Sequence, residues 1–199
     1  SGGAGIQADL KTFSARGVYG MTVLTALTAQ NTQGVTAIEV LSPDFLTAQL
    51  DAVFADVRVG AIKVGMIANA ALAEAVAAGL RTHAAGIPVV VDPVMVAKGG
   101  ARLLDPAAVT AVTEMLIPCA TIITPNLPEA AALLGCAEAT SREEMERQAE
   151  ALRALGPAAV VLKGGHLGSD YSPDILASPS GLNWLDAPRI PTKNTHGTG

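Results

Sequence analysis

The stretch Val89-Val90-Val91-Asp92-Pro93-Val94-Met95 decides the fold of this chain. Its β-branched run predicts a strand buried on both faces, which is typical of a parallel sheet. Three other apolar runs also end in residues that are uncommon in a hydrophobic core. They are Ile62-Lys63-Val64-Gly65-Met66, Ile122-Ile123-Thr124-Pro125-Asn126 and Val160-Val161-Leu162-Lys163-Gly164-Gly165-His166. Parallel strands end at a common edge, and ligands of open α/β sheets bind beyond the carboxyl ends of the strands. We therefore expect a ligand site at that edge.

Helical segments alternate with these strands along the chain, so the sequence predicts an α/β fold with a mainly parallel sheet and helices on both faces. Cap residues predict three helices: from Ser42-Pro43-Asp44 to about residue 57, from Asn69 to about His83, and from Ser141 to Leu155. Asp105-Pro106 predicts a further helix start. Elsewhere we expect helices over 6–15 and 127–134, a buried strand over 21–29, and an irregular excursion over 169–181 before a strand near 182–185.

Composition limits the classes of function that the chain can have. Its 199 residues are enough for one sizeable core, and no linker divides them, so we expect one domain over 1–199. The net charge of −5 argues against nucleic-acid binding, which needs a basic surface. The uncharged run 17–38 is interrupted by Thr, Gln and Asn residues and predicts no membrane span. The sequence does not open with a basic segment followed by an apolar stretch, so we identify no secretory signal and expect a cytoplasmic location. We expect Cys119 and Cys136 to be small buried hydrophobes.

Each polar residue at the strand exits has a structural and a functional interpretation. Asp92 before Pro93 can cap a turn or act as an acid in a site. Asn126 can cap the helix that follows, with Glu129 in its first turn, or both can take part in chemistry. Lys163 can be a solvent-facing strand end, although Gly164-Gly165 after it permits close approach of a ligand. His166 is more typical of a turn or a core than of a catalyst.

Three polar segments away from those exits are also candidates. Gly197-Thr198-Gly199 can direct successive backbone N–H groups at one phosphate or oxyanion, or it can form an ordinary turn. Gln30-Asn31-Thr32 leaves an apolar run with both donors and acceptors, and an amide there can recognise a neutral heterocycle; a polar loop is the alternative. The segment from Ser1 to Gly5 can be a phosphate loop or a turn.

Taken together, seven segments resemble the hydroxymethylpyrimidine and phosphomethylpyrimidine kinases of thiamine synthesis, in the ribokinase-like superfamily. They are Ser1 to Thr12, Ala29-Gln30-Asn31-Thr32, Lys63-Val64-Gly65-Met66, Val91 to Met95, Thr124 to Ala130, Lys163-Gly164-Gly165-His166 and Asn194 to Gly199. The resemblance implies a three-layer α/β/α fold with a mainly parallel central sheet. It also leads us to expect a chain truncated at both ends, without the family's first strand and C-terminal helices.

The activity implied by the resemblance is phosphoryl transfer from MgATP to the hydroxymethyl group of 4-amino-5-hydroxymethyl-2-methylpyrimidine. A second transfer to the monophosphate would give the diphosphate. Carried over to this chain, the pyrimidine would be hydrogen-bonded by Gln30 and enclosed by Ala4, Met66 and Val94. The partner implied is thus a small pyrimidine, with no nucleic acid and no membrane, and a homodimer is expected from the resemblance alone.

The resemblance also implies the residues that bind the cofactors ATP and Mg²⁺. Lys163, Thr124 and Asn126 would lie near the nucleotide, and Asp92 and Glu129 would organise the magnesium. The catalytic anion hole would be formed by Gly197, Thr198 and Gly199. Such a set suits phosphoryl transfer, which depends mainly on positioning and charge neutralisation.

One departure from the family concerns the residue that would take the hydroxyl proton. The family continues Gly-Thr-Gly with a cysteine, and the sequence ends at Gly199. The family's final helices, which cover the adenine, and its first strand are also missing. We therefore expect the chain as written to bind ATP poorly and to turn over slowly or not at all. Two alternatives stay open: a pyridoxal kinase, which shares the fold, and a non-catalytic relative that keeps the pyrimidine or vitamin pocket.

Overall fold

The computed structural model describes residues 2–95, 106–165, 167 and 171–190. Its helices are α1 (Gly5–Ala15), α2 (Pro43–Asp56), α3 (Ala70–His83), α4 (Pro106–Ala111), α5 (Leu127–Leu134) and α6 (Arg142–Arg153). Its strands are β1 (Ala26–Gln30), β2 (Val35–Val40), β3 (Ile62–Val64), β4 (Val89–Val91), β5 (Ile122–Ile123), β6 (Ala159–Lys163), β7 (Tyr171–Ser178) and β8 (Gly181–Pro188). A π-helical turn at Val112–Leu116 and a 3₁₀ turn at Ile117–Cys119 follow α4.

The central sheet has the strand order β3-β4-β5-β6-β7-β8. Strands β3 to β6 are parallel, and β7 and β8 extend the sheet antiparallel. Val64, Val91, Ile123 and Val160 stand in register across the four parallel strands, and all are buried. This row of β-branched side chains fixes the register, because a slip by one residue would turn it out of the core. The predicted α/β fold with a mainly parallel sheet is confirmed.

Helices α2 to α6 form one continuous layer on the core face of the sheet, in which neighbouring helices contact each other. Their starts follow the predicted caps, since the side chains of Ser42, Asn69, Asn126 and Ser141 each accept a hydrogen bond from a backbone N–H in the first turn. Asp105, the other predicted cap, lies outside the described residues, although α4 does begin at Pro106. Helix α6 ends at Arg153 rather than at residue 155.

Helix α1 lies on the opposite side of the sheet. Side chains alternate between the faces of a strand, so Lys63 points away from the core face that holds Val64. The ammonium of Lys63 binds both carboxylate oxygens of Asp9 on α1, at 2.8 and 3.0 Å. This ion pair places α1 on the face opposite to α2–α6, and helices therefore flank both faces, as the sequence predicted.

The predicted buried strand over 21–29 is wrong in its extent, its burial and its pairing. The strand begins only at Ala26, most of its residues are exposed, and it pairs antiparallel with β2 in a separate two-stranded sheet. The turn explains the difference, because Asn31 Oδ1 accepts the N–H groups of Gln33 and Gly34 at 2.8 and 3.1 Å. An Asn that closes such a turn before the β-branched run of β2 favours a hairpin, and the sequence analysis overlooked this signal.

The predicted irregular excursion over 169–181 is also wrong. Residues 171–178 form β7, in which Pro173, Ile175 and Ala177 are buried in alternation. A turn at Ser178–Gly181, with Gly181 at φ +112°, returns the chain into the edge strand β8. Among the residues that suggested a loop, Ser172, Asp174 and Ser178 take the half-buried positions of β7, and Pro173 takes one of the buried positions between them.

Two smaller expectations have different outcomes. Cys119 is half-buried and Cys136 is exposed, so the expectation that both are buried is wrong. Gln148 on α6 donates to the Cys136 sulfur at 3.4 Å, which places that thiol at a polar helix surface. Within the described ranges, the helices are too short or too polar to cross a bilayer.

Candidate active site at the strand exits

The exits of β4, β5 and β6 meet at a charged cluster. Asp92 Oδ1 accepts hydrogen bonds from the Thr124 hydroxyl and from the Lys163 ammonium, both at 3.1 Å. Backbone bonds hold these residues in place: Asp92 N–H donates to Val64 O, Thr124 N–H to Val91 O, and Lys163 N–H to Pro125 O. The parallel register therefore brings an acid, a hydroxyl and a cation from three strands to one point.

The side chains of Asp92 and Lys163 are each about one quarter exposed, at 23% and 24%. They are accessible to a ligand but sheltered from bulk water, so their charges act more strongly than a surface pair would. Asp92 Oδ2 has no hydrogen-bond partner among the residues that the structure describes. That oxygen is available to a cation.

Asn126 and Glu129 form the capping box at the start of α5. Asn126 Oδ1 accepts from Glu129 N–H at 2.9 Å, and Glu129 Oε2 accepts from Asn126 N–H at 2.8 Å. The structure thus confirms the cap, which was one of the two interpretations of this pair, and does not contradict the other.

Glu129 is only 6% exposed although it faces the cluster. Burial raises the pKa of its carboxyl above the ordinary value, and the nearby Asp92 charge raises it further. The backbone N–H groups of Asn126 and Met95 and the Lys163 ammonium lower the pKa, but they only partly offset burial. Through Asn126 and Met95, Glu129 ties the segment after β5 to the segment after β4.

The backbone at Gly164 is packed against protein rather than open to a ligand. A Cβ at Gly164 would meet Pro173 O at 1.9 Å and the Met145 methyl at 2.9 Å. Gly164 N–H donates to Asp174 Oδ1 on β7 at 2.9 Å. The glycine is needed so that β6 can pack against β7, and the close approach of a ligand to Gly164-Gly165 stays a prediction. At Gly165 a Cβ would meet only Ser172 Oγ, at 3.5 Å.

A single open cleft of about 2130 Å³ adjoins this cluster. All four residues predicted to bind the pyrimidine, namely Ala4, Gln30, Met66 and Val94, line it. So do Asp92, Asn126, Glu129 and Lys163, whereas Thr124 is not among the lining residues and reaches the site through Asp92. The sequence-predicted residues that lie in the described part of the chain are thus brought together. Gly197, Thr198, Gly199 and His166 lie outside the described residues.

Local contacts set the positions of Gln30, Met66 and Val94 in the cleft. The Thr28 hydroxyl donates to Gln30 Oε1 at 3.4 Å, on the same face of β1. The Thr25 hydroxyl donates to Met66 O at 2.9 Å and joins the base of the hairpin to the exit of β3. Val94 N–H donates to Asp92 O at 2.8 Å, which makes a tight turn after β4.

Sequence reasoning missed three residues that line the cleft: Asp9, Asp174 and Arg189. Asp9 pairs with Lys63, Asp174 accepts from Gly164 N–H, and Arg189 donates to Gly165 O at 3.0 Å. A lysine in the middle of an apolar strand was the one signal in the sequence that could have indicated an acidic partner on the same face of the sheet. No sequence spacing links the other two to the cluster.

Comparison with known proteins agrees with this geometry. The family model described as phosphomethylpyrimidine kinase matches residues 1–199. The chain is 54% identical over 199 residues to the hydroxymethylpyrimidine/phosphomethylpyrimidine kinase of Escherichia coli, covering all of this chain and 74% of that protein. It is 45% identical to the protein of the same name from Bacillus subtilis, covering 73% of it.

Solved structures give the same result for the fold. A phosphomethylpyrimidine kinase from Clostridium difficile superposes with a TM-score of 0.85 at 44% identity, over 93% of this chain and 79% of that one. A pyridoxal kinase from Bacillus subtilis, solved as an ADP complex, gives 0.89 at 38% identity, over 99% of this chain and 74% of that one. With a family match over its whole length and relatives above half identity, this chain belongs to the phosphomethylpyrimidine kinase family and has its ribokinase-like α/β fold.

Proposed function

We propose that this chain phosphorylates 4-amino-5-hydroxymethyl-2-methylpyrimidine and then its monophosphate, with ATP as the phosphoryl donor, in thiamine biosynthesis. The observation that carries the proposal is the arrangement of the cleft, with the Asp92–Lys163 pair at one end and Gln30 in the same lining. The relatives that share this chain over its full length are named for this pair of substrates.

The residues of the cluster suit an ATP site. ADP and the ATP analogue AMP-PCP are bound in solved pyridoxal kinases that superpose on this chain. The Lys163 ammonium would bind phosphate oxygens, and Asn126 and Thr124 would hold the strand exits around them. Gly197, Thr198 and Gly199 would donate backbone N–H groups to the charge that develops on the transferred phosphoryl group. The new bond joins the γ-phosphorus of ATP to the hydroxymethyl oxygen as the bond between that phosphorus and the β-phosphate oxygen breaks. ADP is the leaving group, and the hydroxyl proton is released to solvent.

Magnesium fits the oxygen donors of this cluster. Asp92 has a carboxylate oxygen with no partner among the described residues, and carboxylates with water are the ligands that Mg²⁺ prefers. We infer that Asp92 would hold the ion and that buried Glu129 would act through its water shell. The ion, when bound, would neutralise phosphate charge. Lys163 then has two functions. Its ammonium neutralises the charge of the Asp92 carboxylate, and it moves toward the phosphate oxygens when the nucleotide binds.

At the other end of the cleft, Gln30 would recognise the aminopyrimidine. An amide offers one acceptor and one donor side by side, which matches the amino group and the adjacent ring nitrogen of the substrate. The Thr28 hydroxyl supports this by holding Gln30 Oε1. Ala4, Met66 and Val94 would supply the apolar lining.

A pyridoxal kinase is the second candidate, favoured by the TM-score of 0.89 with the pyridoxal kinase of Bacillus subtilis. The test is a substrate panel with the full-length protein, in which MgATP is combined with the pyrimidine or with pyridoxal and product is followed by ADP release and ³¹P NMR. We expect a higher kcat/KM for the pyrimidine. A higher kcat/KM for pyridoxal would instead identify the protein as a pyridoxal kinase. Binding of the pyrimidine without turnover would identify it as a non-catalytic ligand-binding protein.

Two variants extend this test to the residues. Lys163→Met should lower kcat by about 10²- to 10³-fold, the usual effect of removing one electrostatic donor from a transition state. Gln30→Leu should raise KM for the pyrimidine and leave KM for ATP unchanged. Gln33→Leu is the matched control, because Gln33 is exposed in the β1–β2 turn and bonds through its backbone. If Gln30→Leu and Gln33→Leu change KM for the pyrimidine equally, Gln30 does not bind the pyrimidine.

We also propose that the chain acts as a homodimer in the cytoplasm, where ATP is supplied. Two exposed apolar side chains on one face of the hairpin, Ile38 and Val40, support a subunit contact there. Sedimentation equilibrium tests the dimer, and a monomer at micromolar concentration would contradict it.

A further inference from the structure

Arg189 binds the backbone of the segment that follows Lys163. Its guanidinium donates to Gly165 O at 3.0 Å, to Leu167 O, and to Tyr171 O at 3.4 Å. Gly165 lies two residues after Lys163, Tyr171 begins β7, and Arg189 itself directly follows β8. One cation therefore joins the ends of three strands at the cleft, in whose wall Gly165 and Arg189 both lie.

The same segment is also held by a contact with β7. Gly164 N–H donates to Asp174 Oδ1 on β7 at 2.9 Å, and within the segment Leu167 N–H donates to Gly164 O at 2.9 Å. The bond to β7 uses a backbone N–H group, whereas the Arg189 guanidinium binds backbone carbonyl oxygens. The backbone after Lys163 is thus held by donors and acceptors on separate elements, which restricts where the end of β6 can lie.

The chemistry of the contact requires arginine. A guanidinium presents five N–H donors in a rigid plane and can serve several carbonyl oxygens at once, whereas a lysine ammonium is a flexible point charge. Arg189 is exposed, so a simple surface cation at this position would have been satisfied by water. Its three carbonyl partners instead belong to one segment next to the catalytic cluster.

We propose that Arg189 is a positioning residue for the nucleotide site. By holding the carbonyl groups of Gly165 and Leu167 it fixes the end of β6, and with it the position of Lys163 relative to Asp92. This inference rests on the proposed function, in which Lys163 binds the phosphates of ATP.

The experiment compares Arg189→Lys with the control Arg147→Lys in the full-length protein. Arg147 is 68% exposed on α6 and makes only a long 3.9 Å ion pair with Glu144. We expect Arg189→Lys to raise KM for MgATP and Kd for a fluorescent ATP analogue by about tenfold, the equivalent of one charge-assisted hydrogen bond. KM for the pyrimidine and the melting temperature should match those of Arg147→Lys.

A second variant separates positioning from a general loss of structure. Arg189→Ala should show the same nucleotide defect, and guanidinium ion at millimolar, non-denaturing concentration should restore part of the nucleotide affinity, because the site is exposed. Unchanged Kd and KM for the nucleotide in Arg189→Lys would overturn the proposal. So would an equal loss in every kinetic constant together with a lowered melting temperature, since that result indicates a structural role.

Failure of the proposed function gives a different result. If the wild-type protein binds the ATP analogue but does not phosphorylate the pyrimidine, the proposed kinase function is contradicted, and the Kd for the nucleotide still tests the role of Arg189. If the wild-type protein phosphorylates the pyrimidine and Arg189→Lys binds the analogue normally, only the proposal about Arg189 is contradicted.

Discussion

Replacing Gly164 with alanine should displace the strand end that carries Lys163. The new Cβ would stand 1.9 Å from the carbonyl oxygen of Pro173 on β7, and real Cβ atoms essentially never come closer than 3.0 Å to such a neighbour. Strands β6 and β7 must therefore separate by the difference, about 1.1 Å. The Pro173 oxygen is a backbone atom, so no side-chain rotation relieves the contact.

This displacement should affect both stability and activity. Overpacking of this kind costs about 2–3 kcal/mol, and for a domain of this size that corresponds to a fall of about 4–12 °C in the melting temperature. Lys163 is the adjacent residue, and a misplacement of about 1 Å in a catalytic site can reduce the rate by about 100-fold. We therefore expect kcat/KM for MgATP to fall by about that factor.

The matched control is Gly165→Ala, whose Cβ would make only an ordinary 3.5 Å contact with Ser172 Oγ. Thermal melts followed by circular dichroism, together with initial rates at saturating pyrimidine, measure both effects for the two variants. The reasoning is refuted if Gly164→Ala retains the melting temperature and kcat/KM of Gly165→Ala, because the packing of β6 on β7 would then not determine the position of Lys163.

Two further predictions concern the capping box. Because burial raises the pKa of Glu129, ionisation of this carboxyl destabilises the folded protein. The contribution of the neutral carboxyl to the folding free energy is fully present below about pH 4.5 and is lost as the pH rises through the raised pKa. The melting temperature of Glu129→Gln minus that of wild type should therefore be more positive at pH 7.5 than at pH 4 in a melt series. Glu143→Gln should show a change of the opposite sign, because backbone hydrogen bonding at the start of α6 lowers the pKa of Glu143; a common sign for the two variants would contradict the assignment. Asn126→Ala and Ser141→Ala should each lose about 1 kcal/mol of stability, since both remove an N-cap. Only Asn126→Ala should also reduce kcat/KM for ATP in steady-state assays, and equal activity of the two would remove Asn126 from the site.

The strand exits were predictable because they depend on local pattern and on one general rule. A β-branched run followed by Asp92, and similar runs followed by Asn126 and Lys163, indicate parallel strands whose polar ends share an edge. The structure places these three residues in one cleft. Their functional assignment stays a prediction until the variants are measured.

The two hairpins were harder to predict for different reasons. The β1–β2 turn had a local signal in Asn31 that was overlooked. For β7, local composition favoured a loop, and the strand exists because alternate residues are buried against α6 and β6 once the rest of the sheet is assembled. Tertiary packing therefore outweighed local preference there.

By itself the sequence determined the parallel strand runs, the helix caps and the resemblance that led to the family, since each depends on residues close together in the chain. Only the tertiary structure decided that Gly164 must lack a side chain, that Asp9 pairs with Lys63, and that Arg189 binds the backbone after Lys163. These contacts join residues that are 9 to 54 positions apart. Their partners are set by the assembled sheet and not by neighbours in sequence, because only folding brings such distant groups within bonding distance.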